Sequence, residues 1–594
     1  EVDIDSLAEF GEEHGMAFDD DDIEYYTTLF KDKLNRNPTS CELYDLSQGN
    51  SEHSRHWFFN GKFTINGIEM EKSPFQHIKE PLKLIKSDNV SKVAFKDNAS
   101  AIMGIESVDY MVVDNPSEPC NYRVENIKFH PTLTAETHNF PTGIAPFQGA
   151  ETGVGGRIRD TQSIGRGGMP VAGLAGYCVG EISDTPRPEL LHTAENILLK
   201  ASNGASDYGN KFGEPIIGGF CRNFKGKINH NRKVEEREWI KPIMFSAGIG
   251  KVRDESTIKP EPQLGMKICK LGGPAYRIGI GGGSASSRAQ DKKNKNLDIS
   301  AVQRGNAEME NRLNRVVRAC SELENNIIYS IHDQGAGGTS NVTKEIVEPY
   351  GSIIDIDKII VGDKTMTPLE IWVSEYQEQN TILVEERNLK ILEDICIREN
   401  LPLAVIGDII KRDNITVKSA SETILDLPVK EILTNIPRKH YKLDSVRITD
   451  WENTINLSSS LFNDYLIEVL KLPSVACKHF LTSKVDRSVT GLIAQQQCVG
   501  PLHLPVADNS IIANSYFNMS GVVSSIGEQP LKGLYNHKNG VRMAIGEMLT
   551  NMISTVIPDI KDIRCSGNWM WANCDNDNKF MLYDATHEVS KLLS

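Results

Sequence analysis

The sequence predicts an α+β fold built of α/β layers, and three observations carry the prediction. Between about residues 125 and 425, short β-rich runs alternate with glycine-rich turns and amphipathic helical patterns, the mark of sheets covered by helices. Inside that stretch, residues 308–323 set Met309, Leu313, Val316, Val317 and Cys320 on one helical face, and the strand-like run Ile327-Ile328-Tyr329-Ser330-Ile331 follows at once. Third, 594 residues with 39% apolar and 24% charged side chains have a globular composition, and at ~150 residues per domain they make about four domains. Disordered and collagenous classes are excluded.

Taken in order, the first fifty residues read as helical. The acidic run 19–22 stands just before Ile23, where carboxylates favour the positive end of a helix dipole. A second helix ends near Asn37-Pro38, and Thr39 with Glu42 has the spacing of a capping box, which starts a third helix through Cys41, Leu43 and Leu46. Residues 56–118 are weakly periodic and read only as a connection. After the α/β stretch, a polar linker is expected over 426–474, and new globular sequence follows. Pro170-Val171-Ala172 and Pro505-Val506-Ala507 echo each other, consistent with a duplicated unit. In the second unit, residues 541–556 predict a helix with an apolar stripe of Ile545, Met548, Leu549, Met552, Ile553 and Val556, and with Glu547 and Asn551 four apart on the opposite face.

The net charge is −15 and there is no long Lys/Arg block, so a nucleic-acid partner is not expected. No run approaches the ~18 apolar residues of a membrane helix, so no membrane partner is expected either. Eleven cysteines, an odd count without a repeated C-x-x-C, read as reduced thiols in a cytoplasmic protein. Residue 1 is Glu, so the chain reads as a piece of a longer polypeptide.

The densest chemistry lies in LTAETHNFPTGIAPFQGAETGVGGRIRD, residues 133–160. Gly149, Gly153, Gly155 and Gly156 would let backbone N–H groups approach phosphate oxygens, with Glu136, His138, Arg159 and Asp160 flanking them as carboxylates for magnesium, a cation for phosphate and a titratable imidazole. A tight structural turn is the competing reading. The spacing matches neither a Walker A loop nor a Rossmann fingerprint. Asp333 stands at a strand end before a glycine-rich exit, where a carboxylate can face a crevice. Asp508, Glu547 and Asn551 offer the oxygen ligands that magnesium prefers, although a solvated helix face is the ordinary explanation.

At these residues a resemblance becomes specific. NSEHSRHWFFNG (50–61), AETHNFPTGIAPFQGAETGVGGRIRD (135–160), ASNGASDYGNKFGEP (201–215), GGPAYRIGIGGGSASS (272–287), AVQRGNAEME (301–310), SIHDQGAGG (330–338), KVDRSVTGLIAQQQCVGP (484–501) and CSGNWMWA (565–572) resemble the formylglycinamide ribonucleotide amidotransferase family, most closely its large single-chain eukaryotic type. The motifs run collinearly over nearly the whole chain. The resemblance implies a helical linker domain (1–55), a connecting region (56–118), and a first aminoimidazole ribonucleotide synthetase-like N-type domain with an ATP loop (119–255). Its C-type partner (256–425), a linker (426–474) and a second, incomplete N-type domain (475–594) follow, so that the second of two tandem repeats is truncated.

The implied reaction is ATP-dependent amidation of formylglycinamide ribonucleotide in purine biosynthesis, with ATP and magnesium as cofactors and ammonia supplied by a glutaminase domain. His53 matches the family's active-site histidine and His138 its candidate general base. Glu136, Asp160 and Asp333 match magnesium ligands. The implied ATP loop is Gly149, Ala150, Glu151, Thr152, Gly153, Val154, Gly155, Gly156, Arg157, Ile158, Arg159 and Asp160, and Gly218, Gly219 and Phe220 match a further nucleotide contact. Thr137, His138, Asn139, Arg159, Gln303, Glu375, Tyr376 and Gln377 match substrate-contacting positions. In the second unit, Ala507, Asp508, Glu547 and Asn551 match positions that hold a magnesium nucleotide. Two residues depart from the small-form pattern: Thr134 stands in place of a lysine and Phe140 in place of a histidine. The region 180–196 is shorter than in close relatives, and the second C-type domain and the glutaminase are expected beyond this chain.

Overall fold

A computed structural model describes residues 1–85, 90–183, 191–230, 233–287, 295–446, 458–572 and 575–594, excluding the side chains of residues 53, 229, 230 and 233. The region 180–196, expected to be short, therefore lies partly outside the described residues, as does the linker over 447–457.

The N-terminal helices Leu7–Glu13, Asp20–Thr28 and Ser40–Gly49 begin where their capping residues require. Asp19 and Asp22 form a reciprocal capping box, and Thr39 accepts from Glu42 N (3.1 Å) while Glu42 accepts from Thr39 N (2.9 Å). Tyr26, Leu29, Phe30, Leu43 and Leu46 pack into one core with Trp372, Val373, Ile406 and Leu427, so these helices lie on the second sheet.

The first sheet has the order Ser91–Val93, Ser100–Ile102, Tyr122–Thr137, Ile243–Arg253, Met169–Val179, Ile216–Asn223, with Ser107–Val113 paired to the outer half of Tyr122–Thr137. The stretch 56–118 is thus more than a connection, because three of its strands belong to this sheet. They are short or alternate buried and exposed residues, as edge strands do, and so leave little apolar signal in sequence. One face of the sheet is covered by the helices Pro146–Gln162 and Ala194–Phe212. On the other face Val171, Leu174, Phe245 and Ile249 pack against Leu492 and Ile512 of the three-stranded sheet Ile493–Gln495, Asn509–Ala513, Gly521–Ser525. The duplicated unit therefore meets the first unit sheet to sheet.

The second large sheet runs Ser330–Asp333, Gln379–Val384, Lys267–Gly272, Leu403–Ile410, Gly351–Asp355, Asn414–Ser419, Glu422–Pro428. The expected helix is Ala307–Glu322 and buries Leu313, Val316, Val317 and Cys320 against it. The following strand starts at Ser330 rather than Ile327, because Asn326 Oδ1 accepts from Ile328 N (2.9 Å) and turns the buried Ile327-Ile328 pair out of the ladder.

Two further expectations change. The 426–474 linker contains the strand His440–Leu443, paired in parallel with Lys62–Ile65, and the helix Phe462–Lys471. The helix expected over 541–556 is His537–Asn551, and Ile553 and Val556 are exposed beyond its end. The closing helix Asn576–Leu593 returns to the helix Pro74–Leu84, where His77 Nε2 meets the Tyr583 hydroxyl at 3.1 Å.

Candidate functional site

The glycine-rich segment is not a loop. After the short helix Asn139–Ile144, the helix Pro146–Gln162 opens ahead of all four glycines, and Gly149 N already donates to Ala145 O (2.8 Å). The expected phosphate cradle from Gly149, Ala150, Glu151, Thr152, Gly153, Val154, Gly155, Gly156, Arg157, Ile158, Arg159 and Asp160 is therefore corrected: these N–H groups lie inside a helix. Three of the glycines serve close packing. A Cβ on Gly149 would stand 2.4 Å from the Pro141 carbonyl carbon, on Gly153 2.9 Å from His138 Cβ, and on Gly155 2.8 Å from the Tyr208 hydroxyl. Glycine at such spacing suits two kinds of close approach, to phosphate or to a neighbouring element, and sequence alone does not separate them.

Arg157 is likewise an internal residue. Its guanidinium donates to Glu214 (2.6 and 3.0 Å), Leu174 O (3.0 Å) and Ser246 Oγ (3.1 Å), with both charged side chains buried. Arg159 is buried too. It donates to Gln377 Oε1 and lies 3.5 Å from Glu310, 3.9 Å from Asp333 and 4.0 Å from Glu378, leaving Nε and Nη1 without hydrogen bonds. It faces carboxylates at the seam between the two large sheets.

Three expected carboxylates converge beside it. Glu136 is near the end of Tyr122–Thr137, Asp160 is on the Pro146–Gln162 helix, and Asp333 ends Ser330–Asp333. Burial, then the charges of Glu136 and Asp333, hold the Asp160 carboxyl well above the usual carboxylate range, against Arg159 and a 3.3 Å hydrogen bond from Thr134. Asn98 Nδ2 donates to Asp333 Oδ1 at 2.5 Å. Among the described residues no three acidic, histidine or cysteine side chains are set close enough to hold a metal ion as they stand. The donor chemistry nevertheless suits a hard cation, because an ion among these carboxylates would relieve the mutual repulsion felt at Asp160.

His138 lies toward the start of the Pro146–Gln162 helix. Its backbone N–H donates to Met244 O (2.9 Å), and its ring Nδ1 lies 2.5 Å from Gly149 O. A carbonyl only accepts, so Nδ1 carries a hydrogen. Asn139 Oδ1 accepts from Met244 N (2.9 Å) and its Nδ2 donates to Thr137 Oγ1 (3.2 Å), which fixes the turn. His53 lies in the short helix Glu52–Arg55, and its side chain is outside the described residues.

The expected substrate run proves to be a structural hub. Glu375 accepts from Gly283 N (3.0 Å), Gly337 N (2.8 Å) and Gln303 Nε2, tying two glycine-rich turns together. Tyr376 is fully buried with its hydroxyl 2.9 Å from Thr339 Oγ1. Gln377 accepts from Arg159. Gly218, Gly219 and Phe220 lie on the edge strand Ile216–Asn223. Gly219 has φ +155, where a Cβ would stand 1.8 Å from Ala175 O, and the Phe220 ring lies tilted against Phe245 with centroids 5.5 Å apart, toward the second unit.

In the second unit, Asp508 immediately precedes the strand Asn509–Ala513, and Ala507 N donates to Gln497 O (2.8 Å). Glu547 accepts from Glu528 N and Gln529 Nε2 (both 2.8 Å), and Asn551 Nδ2 donates to Ile526 O (2.9 Å). Both therefore secure the segment 526–529. Asn509 Nδ2 donates to Asn551 O (2.8 Å), which brings the Asp508 corner to the same helix end.

Sequence reasoning missed the buried polar layer below the site. Lys270 donates to Gln334 Oε1 and to Thr339 Oγ1 (3.0 Å), Gln334 Nε2 donates to Tyr376 O (2.8 Å), and Tyr208 donates to Glu378 (2.9 Å). Burial pushes the Lys270 amine well below its ordinary value and the Glu310 carboxyl up to about 8. A lysine inside the apolar strand Lys267–Gly272 was the available signal.

Comparison with known proteins gives a consistent answer. Residues 7–56 match the formylglycinamide ribonucleotide amidotransferase linker domain, 263–419 the C-terminal domain of AIR synthase related proteins, and 477–594 the FGAR-AT PurM_N-like domain. A phosphoribosylformylglycinamidine synthase from Dictyostelium discoideum is 45% identical over 99% of this chain and 45% of its own length. One from Homo sapiens is 43% identical over 96% and 44%. A probable chloroplastic/mitochondrial synthase from Arabidopsis thaliana is 46% identical over 99% and 43%. The chain thus spans less than half the length of these curated relatives. Among solved structures, T. maritima PurL complexed with ATP superposes with TM-score 0.61 at 18% identity, covering 96% of this chain and 77% of that one. PurL complexed with FGAR gives 0.59 at 20%, covering 90% and 71%, and both likenesses bear on the fold. Matched from its N-terminal linker to its last domain and collinear with these relatives throughout, the chain belongs to the phosphoribosylformylglycinamidine synthase family.

Proposed function

We propose that this chain carries the synthetase chemistry of its family: ATP-dependent conversion of the amide of formylglycinamide ribonucleotide to an amidine. The amide oxygen attacks the γ-phosphorus of ATP and ADP leaves; ammonia then adds to the activated carbon and phosphate departs with the former amide oxygen. An amide oxygen is a poor leaving group until it is phosphorylated, which is why the reaction needs ATP. The observation that carries the reading is the convergence of Glu136, Asp160 and Asp333, from two sheets and a helix. Magnesium held by these three carboxylates would offset phosphate charge during transfer. His138 is the proposed base that takes a proton from the incoming nitrogen, its Nδ1–H anchored on Gly149 O. His53, on the helix next to the linker's junction with the second sheet, is the second proposed catalytic histidine.

Arg159 orders Gln377 and the carboxylate cluster, and through them the substrate-facing edge. Asp508, Glu547 and Asn551, with Ala507, are the proposed holders of a second magnesium nucleotide, which would have to exchange with the Glu528 and Gln529 contacts of Glu547. Ammonia from a glutaminase domain and a cytoplasmic location complete the proposal. Among the described residues all ten cysteines are free thiols, and no helix is long and apolar enough to cross a membrane.

The test uses the complete polypeptide with formylglycinamide ribonucleotide, magnesium ATP and an ammonium salt. Amidine and ADP should form in equal amounts, and Asp160→Asn should abolish both. ADP release independent of the ribonucleotide, or amidine formation unaffected by Asp160→Asn, overturns the assignment.

A further inference from the structure

The CSGNWMWA motif is a conspicuous sequence feature to which the proposed chemistry gives no task. In the structure, residues 563–572 have no regular secondary structure and cross from the second unit over the edge of the first sheet to the linker region. Arg564 Nε donates to Ser91 Oγ on the outermost strand (3.0 Å). Asn568 Nδ2 donates to Ala135 O (2.9 Å). Trp569 lies against Phe59 with ring centroids 6.2 Å apart, on the short helix Trp57–Asn60 that follows the His53 helix. Trp571 Nε1 is tied to Asn578 O (3.1 Å).

The Asn568 contact falls at a particular place in the ladder. The strand Ser100–Ile102 pairs with Tyr122–Thr137 only at Thr132 and Leu133, and Ser100 Oγ takes the Leu133 carbonyl (2.8 Å). Carbonyls on one strand edge recur every second residue, so the next acceptor on that edge is Ala135 O, beyond the end of the neighbouring strand. Asn568 supplies the donor that the missing strand does not. The following three residues are Glu136, Thr137 and His138, a carboxylate of the cluster and the proposed base among them. On their other edge they are held by Ser246, Phe245 and Met244.

We propose that Asn568 is a positioning residue of the second unit that completes the first unit's site: it clamps the free edge of Tyr122–Thr137 and so fixes Glu136 and His138, with Trp569 registering the same strap on the His53 side. This rests on the synthetase reading above. It also gives the second unit a task in the reaction that requires no turnover of its own.

The experiment substitutes Asn568→Asp, which is isosteric but sets a carboxylate against the Ala135 carbonyl, and Asn568→Ala and Asn568→Gln in the complete polypeptide. Misplacement of a base and a metal ligand should lower kcat about tenfold or more in the first two, while KM for both substrates stays within about twofold. Asn568→Gln, which keeps a donor, should recover part of the loss. Amide hydrogen exchange at residues 136–138 should quicken in Asn568→Asp whether or not amidation is measured. Should Asn568→Asp fail to fold, Asn568→Ala is read in the same way. Unchanged exchange at 136–138, or kcat within about twofold of the parent, overturns the proposal. A parent protein that makes no amidine overturns the synthetase reading instead, and the exchange measurement then judges the clamp alone.

Discussion

Glu214→Ala offers a sharp test of whether the RIRD segment, residues 157–160, binds nucleotide or holds the fold. Arg157 and Glu214 are paired at 2.6 and 3.0 Å, and neither side chain is more than 1% exposed. Burial outweighs even the facing guanidinium and lifts the Glu214 carboxyl above its usual range, a sign of how little solvent reaches the pair. Deleting the carboxylate leaves a buried cation with only Leu174 O and Ser246 Oγ, at a cost of about 3–5 kcal/mol. For a unit of ~150–250 residues, 1 kcal/mol moves a midpoint by about 2–4 °C, so the transition that includes the first sheet should fall by roughly 6–20 °C in scanning calorimetry. Saturating ATP should not restore it. The double variant Arg157→Met/Glu214→Leu removes both charges along with their desolvation, and should melt within about 2 kcal/mol of the parent. A Glu214→Ala midpoint within about 2 °C of the parent, or a double variant worse than the sum of its singles, would refute the reasoning.

Three further outcomes follow from the same geometry. Because Asp160 holds its proton more tightly folded than unfolded, metal-free protein should lose stability as pH rises above the ordinary carboxylate range, and Asp160→Asn should flatten that slope in melts with chelator. His138→Ala should lower ammonia-dependent turnover about 10²-fold in steady-state kinetics while ATP binding, measured by calorimetry, stays near the parent's. Glu547→Ala removes the acceptor for Glu528 N and Gln529 Nε2, so calorimetry should show the second unit destabilised by about 1–3 kcal/mol, with release of any nucleotide bound there.

Local signals were legible and relational ones were not. The Thr39 and Glu42 capping box and the 307–322 helix could be read because their partners lie within a turn or two of chain. The glycines at 149, 153 and 155 were misread because what they approach, Pro141, His138 and Tyr208, is set by tertiary packing. The helix after Val541 was drawn too long because Ile553 and Val556 continue the apolar period past the residue where the helix stops. The carboxylates Glu136, Asp160 and Asp333 were singled out one by one, from the residues around the glycines and from a strand end, and the family resemblance grouped them. Their mutual approach across two sheets, and the Lys270 and Gln334 layer beneath them, needed the fold.

The parallel pairing of Lys62–Ile65 with His440–Leu443 has a consequence for how the chain is made. A strand translated early waits for a partner about 380 residues downstream, holding meanwhile only the two-residue match to Ile68–Glu69. At ribosomal speeds of about 5–20 residues per second, that wait is on the order of 20–80 s. The nascent N-terminus must stay unaggregated through it with an open β-edge, while the sheets between the two strands form first. Ribosome-bound fragments released before residue 440 should therefore keep that edge available to chaperones, and those released after residue 443 should have closed it.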